Sequence, residues 1–365
     1  MKKILIIGMT ERMGGVETFI YNTTQFSDPQ RYSYDFLVHG ADYCVFQKEI
    51  TEFYGDCSHF HFIRKYKENP IGCIKDLITF YKRFGKDYDI VHLQTGSTAE
   101  ILYVFPYCLF QHFKLISHSH NGNGYSPIIN CIMRPIVNFC TRKRLSCSDV
   151  AADWLFGRHN RDNTVIINNG IDTLRFTYDD KVRDMIREQY QLSGNFIVGH
   201  IGRFSEQKNH AFILKIFREV YSKNPEARLM LVGVGELESL IRAMVAELNL
   251  ENVVIFVGPQ SRTEDYYSAF DVFLMPSLYE GLPIVGIEAQ SEGLPCYFSD
   301  QISEQIKLTD LAHVYSLSQS PKEWAEKILS NATTVDRMRY PAEIQKRGFD
   351  IRSTVAALEG IYMTL

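Results

Sequence analysis

Short apolar runs alternate with helically spaced patterns from one end of the chain to the other. KILIIG (3–8), DIVHLQTG (89–96), KLISHSH (114–120), RLSCSD (144–149) and TVIINNGID (164–172) are brief and rich in aliphatic or β-branched residues. Such runs predict buried parallel strands. Between them, apolar residues recur at three- and four-residue spacing, as in Val16–Phe26 and Ile71–Phe84, which predicts covering helices. A second series follows: FIVGHIGR (196–203), RLMLVG (228–233), VVIFVG (253–258), DVFLMP (271–276) and LPCYFSD (294–300). Strand alternating with helix means βαβ units and a parallel sheet covered on both faces. The polar, charged stretch Arg175–Asn195 reads as the join and as a hinge. The pattern therefore predicts an α/β protein of two Rossmann-like, doubly wound domains, 1–175 and 176–345, with an interdomain cleft. A closing segment, 346–365, carries Phe349, Ile351, Val355, Leu358 and Tyr362 at helical spacing, and reads as a helix crossing back to the first domain.

The 365 residues suit two domains. Net charge is −4, which gives no reason to expect nucleic acid as a partner. The charge is uneven: residues 1–175 hold 20 basic and 17 acidic residues, so the first domain is the one that tolerates an anionic surface. Eight cysteines, at 44, 57, 73, 108, 131, 140, 147 and 296, include no C-x-x-C pair and read as reduced thiols. The apolar run Ile4–Ile7 is too short for a signal peptide, and no uncharged stretch reaches spanning length, so a cytoplasmic protein is expected.

Ligands of open α/β sheets sit beyond the carboxyl ends of the strands, so chemistry is sought there. After the first strand, Gly14 and Gly15 precede a helix whose free N–H groups suit an anion. The spacing is not G-x-G-x-x-G, and an ordinary strand-to-helix turn fits the same residues. After 196–202, Arg203 and Lys208 follow on a loop into a helix, the residue types that grip a diphosphate; a solvated basic loop is the alternative. In SLYEGLPIVGIEAQSEGLP (277–295), Pro283 stands at the expected first turn of a helix over about 283–292. Gly281 and Leu282 would offer N–H groups at its positive end. Glu280 then precedes the helix and Glu288 lies inside it. Carboxylates beside an anion cradle repel the anion, so they suit sugar hydroxyls; a helix-surface charge is the other reading of Glu288.

These residues resemble the retaining glycosyltransferases of GT-B fold, the large family four of surface-polysaccharide enzymes. The resemblance rests on Glu280 and Glu288 with seven residues between, GRFSEQKN (202–209), MGGVE (13–17), N-G-I-D at 169–172, VGVGELESLI (232–241) and FDIRSTVAALEGIY (349–362). It implies that Arg203 and Lys208 neutralise a donor diphosphate, that Glu288 takes the ribose hydroxyls, and that Glu280 takes hydroxyls of the transferred sugar. Gly14, Gly15, Gly281, Leu282 and Pro283 would complete the donor contacts, and the backbone around Val257 would bracket the base. The family also places a histidine near the donor sugar. Of His118 and His120, the latter stands just past its strand's carboxyl end and is chosen as catalytic with Glu280.

Asp87-Tyr88-Asp89 spells a possible metal motif, but it precedes a strand and so lies at the amino end of the sheet. No metal or other cofactor is expected. The implied reaction is transfer of a hexose from a nucleotide sugar, UDP-linked by default, to a lipid-diphosphate-linked or oligosaccharide acceptor in exopolysaccharide, capsule or O-antigen synthesis. The basic, amphipathic segment 71–86 reads either as a sheet-covering helix or as a peripheral contact with the inner membrane leaflet. Phe105, Tyr107, Phe110 and Phe113 read as core. A nucleotide-sugar 2-epimerase and a non-catalytic nucleotide-sugar-binding protein are the rival readings.

Overall fold

The computed structural model describes residues 1–12, 14–40, 42–55, 59–122, 127–330 and 336–365. Met13 of the Gly-Gly motif and Cys57 lie outside the described residues. The chain divides into two units, one of Met1–Gly170 with Ile351–Leu365 and one of Ile171–Asp350. The divisions thus fall at 170/171 and 350/351, where the sequence pattern set 175/176 and 345/346.

In the first unit, seven strands form one parallel sheet: β1 (Lys2–Ile7), β2 (Tyr32–His39), β3 (Phe60–Ile63), β4 (Ile90–Thr95), β5 (Lys114–Ser119), β6 (Lys143–Ser146) and β7 (Thr164–Ile166). Their spatial order is β3-β2-β1-β4-β5-β6-β7. The helices are α1 (Gly15–Phe26), α2 (Gln47–Tyr54), α3 (Pro70–Phe84), α4 (Pro127–Cys140) and α5 (Asp149–Phe156). Successive residues of a strand point to opposite faces, and β1 shows the consequence. Leu5 and Ile7 join the core beneath α3 through Leu77 and Tyr81. Ile4 and Ile6 join the opposite core with Phe19 and Ile20 of α1.

The second unit has a six-stranded parallel sheet: β8 (Phe196–Ile201), β9 (Ala227–Val232), β10 (Val254–Gly258), β11 (Val272–Met275), β12 (Cys296–Ser299) and β13 (Ala312–Tyr315), ordered β10-β9-β8-β11-β12-β13. Its helices are α6 (Asp180–Gln189), α7 (His210–Lys223), α8 (Glu238–Glu247), α9 (Thr263–Ala269), α10 (Ile284–Ser291), α11 (Pro321–Ser330) and α12 (Tyr340–Lys346). The last helix, α13 (Ile351–Thr364), packs in the first unit, where Leu358 and Tyr362 enter the α1 core.

Two expectations are corrected. The stretch 175–195 is no free hinge. It folds into the second unit, where α6 buries Ile186 and sends Arg183 and Arg187 to the two carboxylate oxygens of Asp271, at 2.6 and 2.7 Å. Two of its arginines are spent on that partly buried pairing. Of the aromatics at 105–113, Phe113 is buried but Phe110 is 80% exposed, so this segment is not uniformly core. The described cysteines are all free thiols.

One charged group ties β1, β2 and the β3 side of the first sheet together. Asp35 on β2 is 1% exposed, faces Lys3 at 3.0 Å, accepts from Tyr88 at 2.9 Å and lies 3.1 Å from His59. Burial opposes its charge, but the facing His61, Lys3 and Tyr88 groups overcome this and hold its carboxyl well below the usual carboxylate range. A depressed folded-state value means stability that is present above the unfolded value and lost as pH falls through the folded one. Asp35→Asn should therefore lower unfolding free energy at pH 7 by about 3 kcal/mol, leaving Lys3 without its buried partner. Urea titrations should show the gap to the parent protein narrowing below about pH 4. A pH-independent gap would refute the assignment.

Candidate active site

Reading outward from β8, strand order runs to β9 and β10 on one side, and to β11, β12 and β13 on the other. The loops after β8 and β11 thus leave in opposite directions, which opens a crevice at the strands' carboxyl ends. The loop after β8 carries Arg203 and Lys208; the loop after β11 carries Glu280, Gly281, Leu282 and Pro283. Three bonds pin the two together: Leu278 N–H to the Gln207 carbonyl (2.8 Å), Gln207 Nε2 to the Tyr279 carbonyl (2.9 Å) and Asn209 Nδ2 to the Pro276 carbonyl (3.1 Å). Asn209 adopts φ +55°, which turns the chain from the Lys208 turn into α7.

The structure brings Lys208 and Glu280 into direct contact. Lys208 Nζ donates to Glu280 Oε1 at 2.6 Å, with both side chains largely buried. Arg203 stands farther out, half exposed, paired with Glu236 of the loop after β9 at 2.9 Å. The helix α10 begins at Ile284, one residue later than expected, with Pro283 at its N-cap and no side chain capping it. The Gly286 N–H bonds the Pro283 carbonyl at 3.0 Å, and the positive end of the helix dipole lies at this turn. A Cβ built at Gly281 would meet nothing within 4 Å, so packing inside the protein does not require glycine there.

Glu288 is not a surface charge. It is 7% exposed, and its Oε2 accepts from Tyr267 Oη at 2.8 Å. Burial pushes its carboxyl up to about 7, against the opposing pull of the Tyr267 hydrogen bond and Arg175. Sequence reasoning missed Tyr267, which holds this carboxylate from α9; only the fold brings positions 267 and 288 together. Val257 lies near the carboxyl end of β10, where the pairing with β9 shifts register between Phe256 and Gly258.

In the first unit, Gly14 is the N-cap of α1 and Gly15 its first residue, again without a side-chain cap. A Cβ at Gly15 would meet nothing within 4 Å. Glu17, 7% exposed, accepts from Thr10 Oγ1 at 2.6 Å. His120 follows β5, is half buried, and its Nε2 lies 2.6 Å from Gln94 Oε1. His118 is fully buried within the strand. Asp89 precedes β4 at the amino end of the sheet, where its Oδ2 accepts from Lys3 N–H at 2.8 Å. Among the described residues no group of three or more His, Cys, Asp or Glu is placed to hold a metal ion.

Comparison with known proteins agrees with this architecture. Residues 13–175 match the model of Glycosyltransferase Family 4, and residues 182–333 match Glycosyl transferases group 1. The chain is 29% identical to EpsF of Bacillus subtilis over 99% of its own length and 96% of that protein's. It is 25% identical, over 70% of each chain, to the Escherichia coli UDP-Gal:alpha-D-GlcNAc-diphosphoundecaprenol alpha-1,3-galactosyltransferase. Crystal structures of Anabaena Alr3699/HepE, determined with UDP and with UDP-glucose, superpose with TM-scores of 0.81 and 0.82 at 17% identity, covering all of both chains. The two Rossmann-like units have the GT-B fold, and the matched models and relatives make the chain a glycosyltransferase. Within that class, the Family 4 model over the first unit and the group 1 model over the second together support family four.

The buried carboxyl makes the site testable. A folded-state value raised above the unfolded one means stability that is intact at low pH and lost as pH rises through about 7. Glu288→Gln should therefore melt with the parent at pH 5 and above it at pH 8. It should also weaken donor binding about 10- to 100-fold, the cost of a charge-assisted hydrogen bond. Glu280→Ala should instead lower turnover by a similar factor. Unchanged nucleotide affinity in Glu288→Gln would overturn the ribose role.

Proposed function

We propose that this protein transfers a hexose from a UDP-sugar to a lipid-diphosphate-linked saccharide during synthesis of a surface polysaccharide, with retention at the anomeric carbon and without a metal. The observation that carries this reading is the junction of the loops leaving β8 and β11, where the strand order reverses. Lys208, Glu280 and the uncapped start of α10 meet there, with the buried Glu288 on the same helix. Arg203 and Lys208 take the diphosphate, assisted by the N–H groups of Gly281, Leu282 and the helix behind Pro283. Glu288 accepts from the ribose hydroxyls and Glu280 from the sugar. The backbone at Val257 flanks the base. Gly14 and Gly15 offer a second uncapped helix start to an anion, and His120 contacts the sugar.

The chemistry follows from charge. As the bond from the anomeric carbon to the diphosphate breaks, negative charge builds on the leaving oxygens. Lys208, Arg203 and the α10 terminus stabilise that charge, Lys208 exchanging Glu280 and Arg203 exchanging Glu236 for the phosphate oxygens. The acceptor hydroxyl attacks the same face, and its proton leaves on the diphosphate. Asp87 and Asp89 take no part, because both precede β4 at the amino end of the sheet, where the Asp89 carboxylate accepts from Lys3 N–H. Support for the donor and acceptor comes from the UDP and UDP-glucose bound to the Anabaena neighbour and from the E. coli galactosyltransferase's lipid-linked acceptor.

Supplying a panel of nucleotide sugars with a polyprenyl-diphosphate saccharide should release free UDP and form a new glycoside, and EDTA should leave the rate unchanged. An epimerised nucleotide sugar, or no release from any donor, would favour one of the rival activities. A chelator-sensitive rate restored by Mg²⁺ or Mn²⁺ would overturn the metal-free reading.

The same reading places the protein at the cytoplasmic face of the membrane, where a lipid-linked acceptor resides. Two helices beneath one face of the first sheet support it. On α3, Ile71, Ile74 and Ile78 are exposed beside the exposed Lys75, Lys82 and Arg83. On α4, Ile128, Ile132 and Phe139 are 74%, 66% and 78% exposed. Each basic residue near an anionic surface contributes about 1 kcal/mol. Vesicles containing phosphatidylglycerol should sediment the protein at low salt, and Ile71→Asp with Ile74→Asp should abolish this. Equal sedimentation by neutral and anionic vesicles would argue against the basic contribution.

A further inference from the structure

Behind His120, the first unit holds a line of buried polar side chains that the reaction above leaves unused. His92 and Gln94 lie on the same face of β4, two residues apart, and are 0% and 2% exposed. Gln94 bridges two rings: its Oε1 faces His120 Nε2 at 2.6 Å and its Nε2 faces His92 Nε2 at 3.2 Å. His92 Nδ1 in turn lies 2.7 Å from Tyr362 Oη on α13. The backbone registers the same pair, since His120 N–H donates to the Thr95 carbonyl at 3.0 Å. His118 fills the space between: its ring centroid is 4.2 Å from that of His120 and 5.5 Å from that of His92, with the edge of Phe19 against it.

An amide oxygen only accepts and an amide nitrogen only donates. With Gln94 oriented this way, His120 Nε2 must carry its proton and His92 Nε2 must not. We propose that Gln94 is a positioning residue, which through the chain Tyr362–His92–Gln94–His120 fixes His120 as the Nε2–H tautomer and leaves its Nδ1 lone pair to accept from a sugar hydroxyl. The proposal rests on the reading of His120 as a sugar-contacting residue. Burial supports it by pushing both His92 and His120 down to about 3, so each ring is neutral and has one donor and one acceptor nitrogen. A ring so hard to protonate accepts a hydrogen bond but is a poor general base. The glycine loop is built around the same side chain: Gly8 has φ +137°, and a Cβ there would sit 2.7 Å from Gln94 Cβ. Gly8 thus lets the end of β1 pass against the backbone and Cβ of Gln94.

The first readout is the tautomer itself, which needs no substrate. In the full chain with ¹⁵N-histidine, long-range proton–nitrogen spectra should show His120 with a protonated Nε2 and a bare Nδ1. Gln94→Leu should mix the tautomers and lower kcat about 10- to 100-fold, the loss of one or two buried hydrogen bonds, with UDP affinity within twofold of the parent's. Tyr362→Phe keeps the ring and removes the far end of the chain, so it should shift the His120 population partway; this variant serves if Gln94→Leu folds poorly. A protonated Nδ1 in the parent protein, or an unmoved His120 spectrum in both variants, overturns the proposal. Failure of the underlying reading looks different: the tautomer shifts as expected while His120→Ala keeps full turnover.

Discussion

The reversal of strand order at the centre of each parallel sheet is the constraint from which the site follows. A strand feeding a helix on one side of its neighbour, and another feeding the opposite side, cannot cover the carboxyl edge between them. In the second unit that gap lies between β8 and β11, and the chain lines it with loops rather than filling it. Hydrogen bonds from Leu278, Gln207 and Asn209 hold the two loops in register. Lys208 and Glu280, 72 positions apart in sequence, meet at 2.6 Å because of that register. In the first unit the same reversal lies between β1 and β4. There the loop begins at Gly8, whose missing side chain admits Gln94.

Much of this was legible along the chain, for identifiable reasons. β1, β9, β11 and β12 lie inside their sheets and are buried at nearly every position, so their runs are almost wholly apolar. The strands the pattern did not reveal are β2, β3 and β13. β2 reads YSYDFLVH, with Ser33 and Asp35 both buried and Asp35 held in a polar network. β3 and β13 are four-residue edge strands, FHFI and AHVY, whose imidazoles interrupt the apolar signal. Local composition fails where burial is satisfied by a partner distant in sequence. The polar stretch read as a hinge failed for the same reason, since Arg183 and Arg187 find Asp271 some 85 positions away.

The candidate site divides along the same line. Arg203, Lys208, Glu280 and the helix behind Pro283 are local features of two loops, so spacing alone exposes them. The burial of Glu288 had a partial signal in its apolar neighbours Ile287 and Ala289. Its partner Tyr267 had none, and neither had the Gln94 bridge, because a contact between strands leaves no mark on spacing within either.

A perturbed carboxyl is not by itself the mark of such a site, and α10 shows why. Glu288 and Glu292 are both buried near this helix, and burial pushes both up, to about 7 and about 8. Glu292 is 0% exposed, accepts from Ser268 at 3.0 Å and faces Arg337 at 3.8 Å. With a rise of about 1.5 Å per residue, Glu288 stands about 7 Å from the Pro283 cap and Glu292 about 13 Å. The first is therefore within reach of a ligand seated at the helix start. The second lies past the helix's far end, among groups that only the protein supplies. Distance from the carboxyl edge of the sheet, more than the size of the shift, separates the carboxylate available to a substrate from the one that holds the fold.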